Sequence, residues 1–263
     1  MENGLPESNA RLPEESRHSL DDALALMRDL RARCEWDAAQ THTSLRPYLV
    51  EEAAEVDDAI AEGRDDTLRD ELGDVLLQVL FHAVVAEERG AFDITDVSGA
   101  LVTKMRARHP HLYGDGVKRD WESMKAHHRS FIDEGLAKGL PALHRSQRLQ
   151  DRAAGVGFDW PDAVGPLAKV REEIEEVAEH ITPEGVASDA KKVEAELGDL
   201  LFAVVNLCRK VGVHAGLALD GANQKFVRRF RAMESLAEAR GIVFRELSLA
   251  EQDLLWDEVK RGE

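Results

Sequence analysis

The sequence predicts an all-α chain, a tandem repeat of two helical-bundle domains. Three observations carry this expectation. Apolar residues recur at helical spacing, and no stretch shows sustained strand alternation. Aromatic residues make up 5% of the chain and prolines number 8, which argues against a β sandwich. One acidic pattern, E-E-x-x-E followed by E-L-G-D, occurs twice in the same order. The first copy is Glu51, Glu52 and Glu55 with Glu71-Leu72-Gly73-Asp74; the second is Glu172, Glu173 and Glu176 with Glu196-Leu197-Gly198-Asp199.

Residues 1–18, polar and holding Pro6 and Pro13, read as a flexible tail. A helix over 20–33 follows from Leu20, Leu24, Met27 and Leu30, with Ser19 placed to cap it. The next helix covers 45–62, with Pro47 tolerated in the first turn and Gly63 at the end. A long apolar helix spans 65–89 and stops at Gly90; another spans 93–108 and is broken at His109-Pro110-His111. The stretch 112–138 is mixed, with helical character over 121–131, and holds the connection between domains. The expected domains are therefore 19–135 and 136–263. Helices then follow over 140–154, 164–180, 189–211, 215–240 and 249–259, with breaks at the glycine-containing segments 155–161 and 182–185 and at Gly212.

The repeat extends beyond the acids. Glu51 and Glu172 stand 121 residues apart, Glu71 and Glu196 stand 125 apart, and Lys104-x-x-x-Arg108 returns at Lys225-x-x-x-Arg229, again 121 apart. The halves realign across a longer loop between the two acidic helices of the second half, as a duplicated domain does.

The formal net charge is −17, which opposes partnership with nucleic acid or an anionic membrane surface. A phosphorylated small molecule remains compatible when a bound metal reverses the local sign. Cys34 and Cys208 have no partner at metal-ligand spacing, and a reducing cytoplasm fits them better than a disulfide. The N-terminus has no apolar signal core, and no apolar run reaches the length of a membrane span. The expectation is a soluble cytoplasmic protein.

On a helix, residues three apart share a face. Glu173 and Glu176 on one helix, with Glu196 and Asp199 on the next, therefore aim four carboxylates at one point if the helices pack antiparallel. Carboxylates that close repel unless a cation lies between them, and hard oxygen ligands suit Mg²⁺, with Mn²⁺ as a substitute. Glu52, Glu55, Glu71 and Asp74 form the matching set in the first half. Glu172 stands one position off the face, as an auxiliary acid. Glu175 and Glu179 read as solvated surface. Asp199 precedes the run Leu200-Leu201-Phe202-Ala203-Val204-Val205, so it is expected where a helix turns into the core, and Gly73 and Gly198 are expected to allow close helix packing beside the acids. Lys225 and Arg229, repeated as Lys104 and Arg108, are candidate phosphate contacts. Lys192, four residues before Glu196, lies on the metal side of its helix, where the first half has Thr67. Trp36, Trp160 and Trp256 are candidate stacking residues, more ordinarily core or rim. His109 and His111 read as a helix-end feature, and His127-His128 is an unsupported pair.

Together these segments resemble the MazG family of nucleoside triphosphate pyrophosphohydrolases. The similarity includes Cys34-Glu35-Trp36-Asp37-x-x-Gln40-Thr41, Arg108-His109-Pro110-His111, Gly155-Val156-Gly157-Phe158-Asp159-Trp160, Glu196-Leu197-Gly198-Asp199 and Asn223-Gln224-Lys225-Phe226-x-Arg228-Arg229-Phe230, and covers all but the tail. The resemblance implies the all-α NTP pyrophosphohydrolase fold in two tandem copies. It further implies Mg²⁺-dependent hydrolysis of nucleoside triphosphates to monophosphate and pyrophosphate, a homodimer whose active sites draw on both subunits, and a role in removing non-standard or surplus nucleotides. On these residues Glu173, Glu176, Glu196 and Asp199 are metal ligands; Glu172 and Lys192 belong to the catalytic group; Lys192, Lys225, Arg229 and Trp256 contact substrate. Thr67 in place of a lysine makes the C-terminal half the expected stronger catalyst.

Two rival readings are weaker. A ferritin-like di-iron protein needs Glu-x-x-His on core helices, and the sequence has that spacing only at Glu15 and His18, in the tail. A non-catalytic helical interaction or scaffold protein with acidic faces explains the charge, but not the matched acids and Lys/Arg pairs in both halves.

Overall fold

The structure is a computed structural model that describes residues 11–114, 116 and 130–263. The first ten residues of the expected tail, most of the helix expected over 121–131, and His127-His128 lie outside the described residues. Among the described residues there is no strand, only an isolated bridge between Ile181 and Ala187. The chain divides into two compact units, residues 1–118 and 119–263.

In the N-terminal unit a 3₁₀ turn at Glu14–Ser16 precedes α1 (Leu20–Arg33). A capping box starts α1: Ser19 Oγ accepts from Asp22 N, and Asp22 Oδ2 accepts from Ser19 N. The short α2 (Glu35–Ala39) leads to α3 (Arg46–Glu62), which ends at Gly63 with φ 67, a left-handed turn that glycine adopts without steric cost. Then come α4 (Asp65–Glu88), α5 (Ile94–Ala107), capped by Asp93, and the four-residue α6 (Pro110–Tyr113). Helices α3 and α4 pack on each other as a tight hairpin, and α1 packs on α4. Met27, Leu45, Leu80, Phe81, Val84 and Val85 form the core. Arg28 pairs with Glu87 and Arg31 with Glu88 along the α1–α4 seam.

In the C-terminal unit α7 (Ala142–Gly155), α8 (Val164–Glu179), α9 (Ala190–Lys210) and α10 (Ala215–Ala239) follow the same plan. A 3₁₀ turn at Phe244–Glu246 then leads to α11 (Leu249–Arg261). Helix α9 packs on both α8 and α7, and α10 pairs with α11 around Met233, Ala237 and Leu255. Where two residues join α3 to α4, ten join α8 to α9, the longer loop that the sequence offsets imply.

Three expectations change. Helices α2 and α6 form where no helix is expected; each is too short for apolar periodicity to register. The run after Asp199 does not simply enter the core: Ala203, Val205 and Asn206 are buried, but Leu201 is 57% exposed and Phe202 44%. It is an amphipathic face with polar Asn206 on its inner side. Gly73 and Gly198 do not serve close packing, because a Cβ added at either would meet nothing within 4 Å.

Candidate active site

Helices α8 and α9 bring one carboxylate oxygen each from Glu173, Glu196 and Asp199 within 4.8 Å of one another. Glu173 is 3% exposed, whereas Glu196 is half-buried and Asp199 faces solvent. One Glu173 oxygen, Oε1, takes the Lys169 ammonium at 2.6 Å; the other, Oε2, is buried and has no partner. Glu176, one turn along α8, is held above the ordinary carboxylate range, first by burial and then by the charge of Glu173, with Glu196 adding a little.

The N-terminal unit repeats the arrangement on α3 and α4, where oxygens of Glu52, Glu55 and Glu71 lie within 4.8 Å of one another. Burial pushes Glu52 and Glu71 up, and the charges of Asp74 and Glu55 push both further. Each unit thus gathers three of the four expected acids, with Asp74 outside the first cluster and Glu176 outside the second.

The basic candidates separate from the acids. Lys192 stands exposed in the first turn of α9, one turn before Glu196. Lys225 is exposed on α10. Arg229 donates through Nε and Nη2 to Glu263 Oε2, at 3.0 and 2.6 Å, and its guanidinium lies over the Trp256 ring, 5.6 Å from the centroid. Trp256 also meets Phe226, centroids 5.6 Å apart. Among the described residues no hydrogen bond or ion pair joins this group to the acids. Lys104 and Arg108 fall at the very end of α5, Arg108 as its C-cap, rather than mid-helix as Lys225 and Arg229 do. Glu172 is paired with Lys169 at 2.9 Å. His109 bonds the Met105 carbonyl, a helix-end role.

Lys169 is the residue that sequence reasoning missed. It bridges Glu172 and Glu173, and those hydrogen bonds, Glu173's first, hold its ammonium well above the usual range. The signal lay in the repeat: the position 121 residues earlier is Tyr48, so the two acidic helices differ there by a full charge. Tyr48 instead meets Trp36 edge-on.

Beside the C-terminal acids is a cavity of about 380 Å³, lined by Lys169, Glu173 and Asp199 and walled by Phe158, Trp160 and Phe202. The Trp160 ring closes on Gly165, where any added Cβ would overlap it. The loop carrying Trp160 is tied to α9: Arg209 donates to both Asp159 oxygens, and Lys210 Nζ donates to Asp159 Oδ2 at 3.2 Å and to the Trp160 carbonyl at 2.5 Å. Burial raises the Asp159 pKa, but these cations outweigh it and hold the carboxyl below its ordinary range. In the N-terminal unit a cleft of about 120 Å³ lies between α1 and α4, lined by Gly73, Leu76, Leu77 and Leu80 against α1 residues, all apolar.

The profile of the MazG nucleotide pyrophosphohydrolase domain matches twice, at residues 40–113 and 166–233, each match spanning one acidic hairpin. The chain belongs to the MazG family. A Thermotoga maritima relative, "Nucleoside triphosphate pyrophosphohydrolase/pyrophosphatase MazG", is 44% identical over 253 residues, 92% of this chain and 96% of its own length. The Escherichia coli K12 "Nucleoside triphosphate pyrophosphohydrolase" is 43% identical, covering 94% of this chain and 98% of its own. A Mycolicibacterium smegmatis protein of the same name is 44% identical over 153 residues, 53% of this chain. As a tandem MazG chain with no strand among its described residues, the molecule has the all-α architecture expected of it, and no single described helix is long and apolar enough to cross a membrane.

Proposed function

We infer that this MazG-family chain hydrolyses nucleoside triphosphates to nucleoside monophosphate and pyrophosphate, and that the C-terminal unit is its principal site. One observation carries the assignment: Glu173 Oε2 is buried and unpartnered, on a carboxylate that lies within 4.8 Å of oxygens of Glu196 and Asp199. A buried carboxylate oxygen without a donor is costly unless a cation meets it. An all-carboxylate donor set fits a hard divalent ion, Mg²⁺ with Mn²⁺ as substitute, held by Glu173, Glu196, Asp199 and Glu176.

When bound, such an ion neutralises phosphate charge and lowers the pKa of a coordinated water. The protein's own groups do the rest. Glu173 or Glu176 orients the attacking water or takes its proton. Glu173 orients the site from its buried position. Lys169 moves from the acids toward the triphosphate as the charge balance shifts. Lys192, Lys225 and Arg229 meet phosphate oxygens, Arg229 by exchanging Glu263 for substrate, with Trp256 beneath its guanidinium. No protein nucleophile is required. The N-terminal acids are a second, weaker site.

Large apolar side chains stand exposed on the acidic hairpins of both units, including Val50 and Leu72 in one and Ile174, Leu197 and Leu201 in the other. They support a homodimer as the working form. The test of function is pyrophosphate release from a panel of nucleoside triphosphates, with Mg²⁺ and with chelator, on wild type, Glu71→Ala and Glu196→Ala. Release lost only in Glu196→Ala supports the assignment; release lost only in Glu71→Ala reverses it.

A further inference from the structure

Two non-helical segments help to wall the cavity beside the C-terminal acids: residues 158–160, tied to α9, and Ile132. Ile132 stands in a stretch of turns that precedes α7. Ser130 N donates to Glu134 Oε2 at 2.7 Å, Glu134 N to the Phe131 carbonyl at 3.2 Å, and Leu136 N to the Asp133 carbonyl at 3.0 Å. Those bonds shape the segment but do not attach it to anything. Arg152, in the last turns of α7, does attach it. Its Nη1 donates to the Ile132 carbonyl at 2.7 Å and to the Glu134 carbonyl at 3.0 Å. Arg152 is 7% exposed. A guanidinium that deep is costly unless acceptors meet its donors, and two carbonyls of one turn supply them in fixed geometry. Leu149 and Ala153, three residues before Arg152 and one after it, line the cavity with Ile132.

The residue 121 positions before Arg152 is Arg31, so the repeat carries this arginine too. The Arg31 side chain is 8% exposed, and its Nη1 donates to the carbonyls of Asp37 and Gln40, with Glu88 as a further partner. At the same place in each unit, then, a buried arginine grips a non-helical segment by two carbonyls. What is gripped differs. The cleft of the N-terminal unit is lined by α1 and α4 residues alone, so the segment that Arg31 holds is no part of it. The segment that Arg152 holds supplies a wall of the cavity that Glu173 and Asp199 also line. Arg31 is therefore a built-in control for the purely structural role of the motif.

We propose that Arg152 is a positioning residue for the reaction: its grip on the Ile132 and Glu134 carbonyls sets Ile132 as a wall of the cavity, and so governs how tightly substrate is held. The proposal rests on the pyrophosphohydrolase reading of the adjacent acids. Ile132 carries no charge and no proton to transfer. Its contact is the same before and during bond breaking, so losing it raises KM and leaves kcat nearly unchanged. Arg152 acts only through that wall. Once the Ile132 side chain is cut back, removing the guanidinium costs substrate binding little more.

The test is pyrophosphate release from ATP by the full chain, with Mg²⁺, over a range of ATP concentrations. Arg152→Met is expected to raise KM about tenfold with kcat within about twofold, and Ile132→Ala to raise KM about fivefold. The double variant is expected to be no worse than Arg152→Met alone, and Arg152→Lys to recover part of the loss. Arg31→Met is expected to lower Tm while KM stays within about twofold. Multiplying KM losses in the double variant overturn the proposal, as does a KM shift in Arg31→Met equal to that in Arg152→Met. Ile132 is half exposed, so Ile132→Ala keeps the fold even if Arg152→Met does not, and an unchanged KM in Ile132→Ala overturns the proposal by itself. Calorimetric titration with α,β-methylene ATP separates the two readings. A wild type that binds the analogue but releases no pyrophosphate from ATP sinks the hydrolytic reading alone, and the dissociation constants of the same variants then decide this one. Wild-type release with additive variants sinks this one alone.

Discussion

In the N-terminal hairpin the groups acting on Glu52 and Glu71, after burial, are other carboxylates: Glu55 and Asp74 on both, Glu51 or Asp70 on one. In the C-terminal hairpin Glu173 meets the Lys169 ammonium and borders a cavity with aromatic walls. The same acid spacing therefore gives two electrostatic outcomes, decided one turn away, where Lys169 stands in one copy and Tyr48 in the other. Duplication preserved the carboxylates; the surrounding residues determine whether a site is equipped for substrate.

The largest effect expected from this difference is on catalysis. Glu173→Gln is expected to lower kcat/KM for pyrophosphate release by more than about 100-fold, since loss of a ligand exceeds loss of a residue behind a ligand. Glu52→Gln is expected to cost a few-fold at most, and equal losses would end the distinction between the units. Next is Lys169→Met, with an expected loss of about tenfold. Tyr48→Lys, which gives the first hairpin the missing charge, is expected to leave activity intact and to raise the apparent Mg²⁺ requirement of that unit in calorimetry.

A smaller effect concerns pH. Glu52, Glu71 and Glu176 all have pKa values raised above 4.5 in the folded chain. A carboxyl raised by folding binds its proton more tightly in the native state, so native stability falls as pH rises from the ordinary value through the raised one. With chelator present, Tm is expected to drop across that window, and Mg²⁺ is expected to restore it at pH 7.5 but little at pH 4.5. Glu52→Gln should flatten the slope more than Glu176→Gln, because Lys169 already offsets part of the repulsion at Glu176. A slope unchanged in both variants would remove the like-charge account. The smallest expected effect is at Arg229: Glu263→Gln frees its guanidinium and lowers KM by about twofold at low salt, vanishing as salt rises.

Much of this was legible in the sequence. The boundaries of α1, α3, α4, α8, α9 and α10 lie within two residues of those expected, because caps such as Ser19 and stops such as Gly63 and Gly90 are local signals. The convergence of Glu173, Glu196 and Asp199 followed from helical spacing and a repeat. What escaped notice depends on tertiary contact. Lys169 is the exception: its partners Glu172 and Glu173 lie three and four residues on in the same helix, so that pairing is local. Gly73 and Gly198 invited a packing explanation that the open space beside them removes. Short helices such as α2 and α6 are below the length at which periodicity distinguishes them from loop.

The Lys169 bridge has a consequence for supply. An ammonium on a flexible stem gives the buried acid a tethered counter-ion of its own, so the C-terminal hairpin is not left with bare repulsion when divalent ions are scarce. Loading on the side of Glu173 that Lys169 holds would be an exchange, in which an incoming ion displaces a resident charge. A monovalent ion such as potassium gains little from that exchange, because it brings no more charge than the lysine it displaces. A preference for doubly over singly charged ions would then draw on one side chain of α8, independent of the size of the opening.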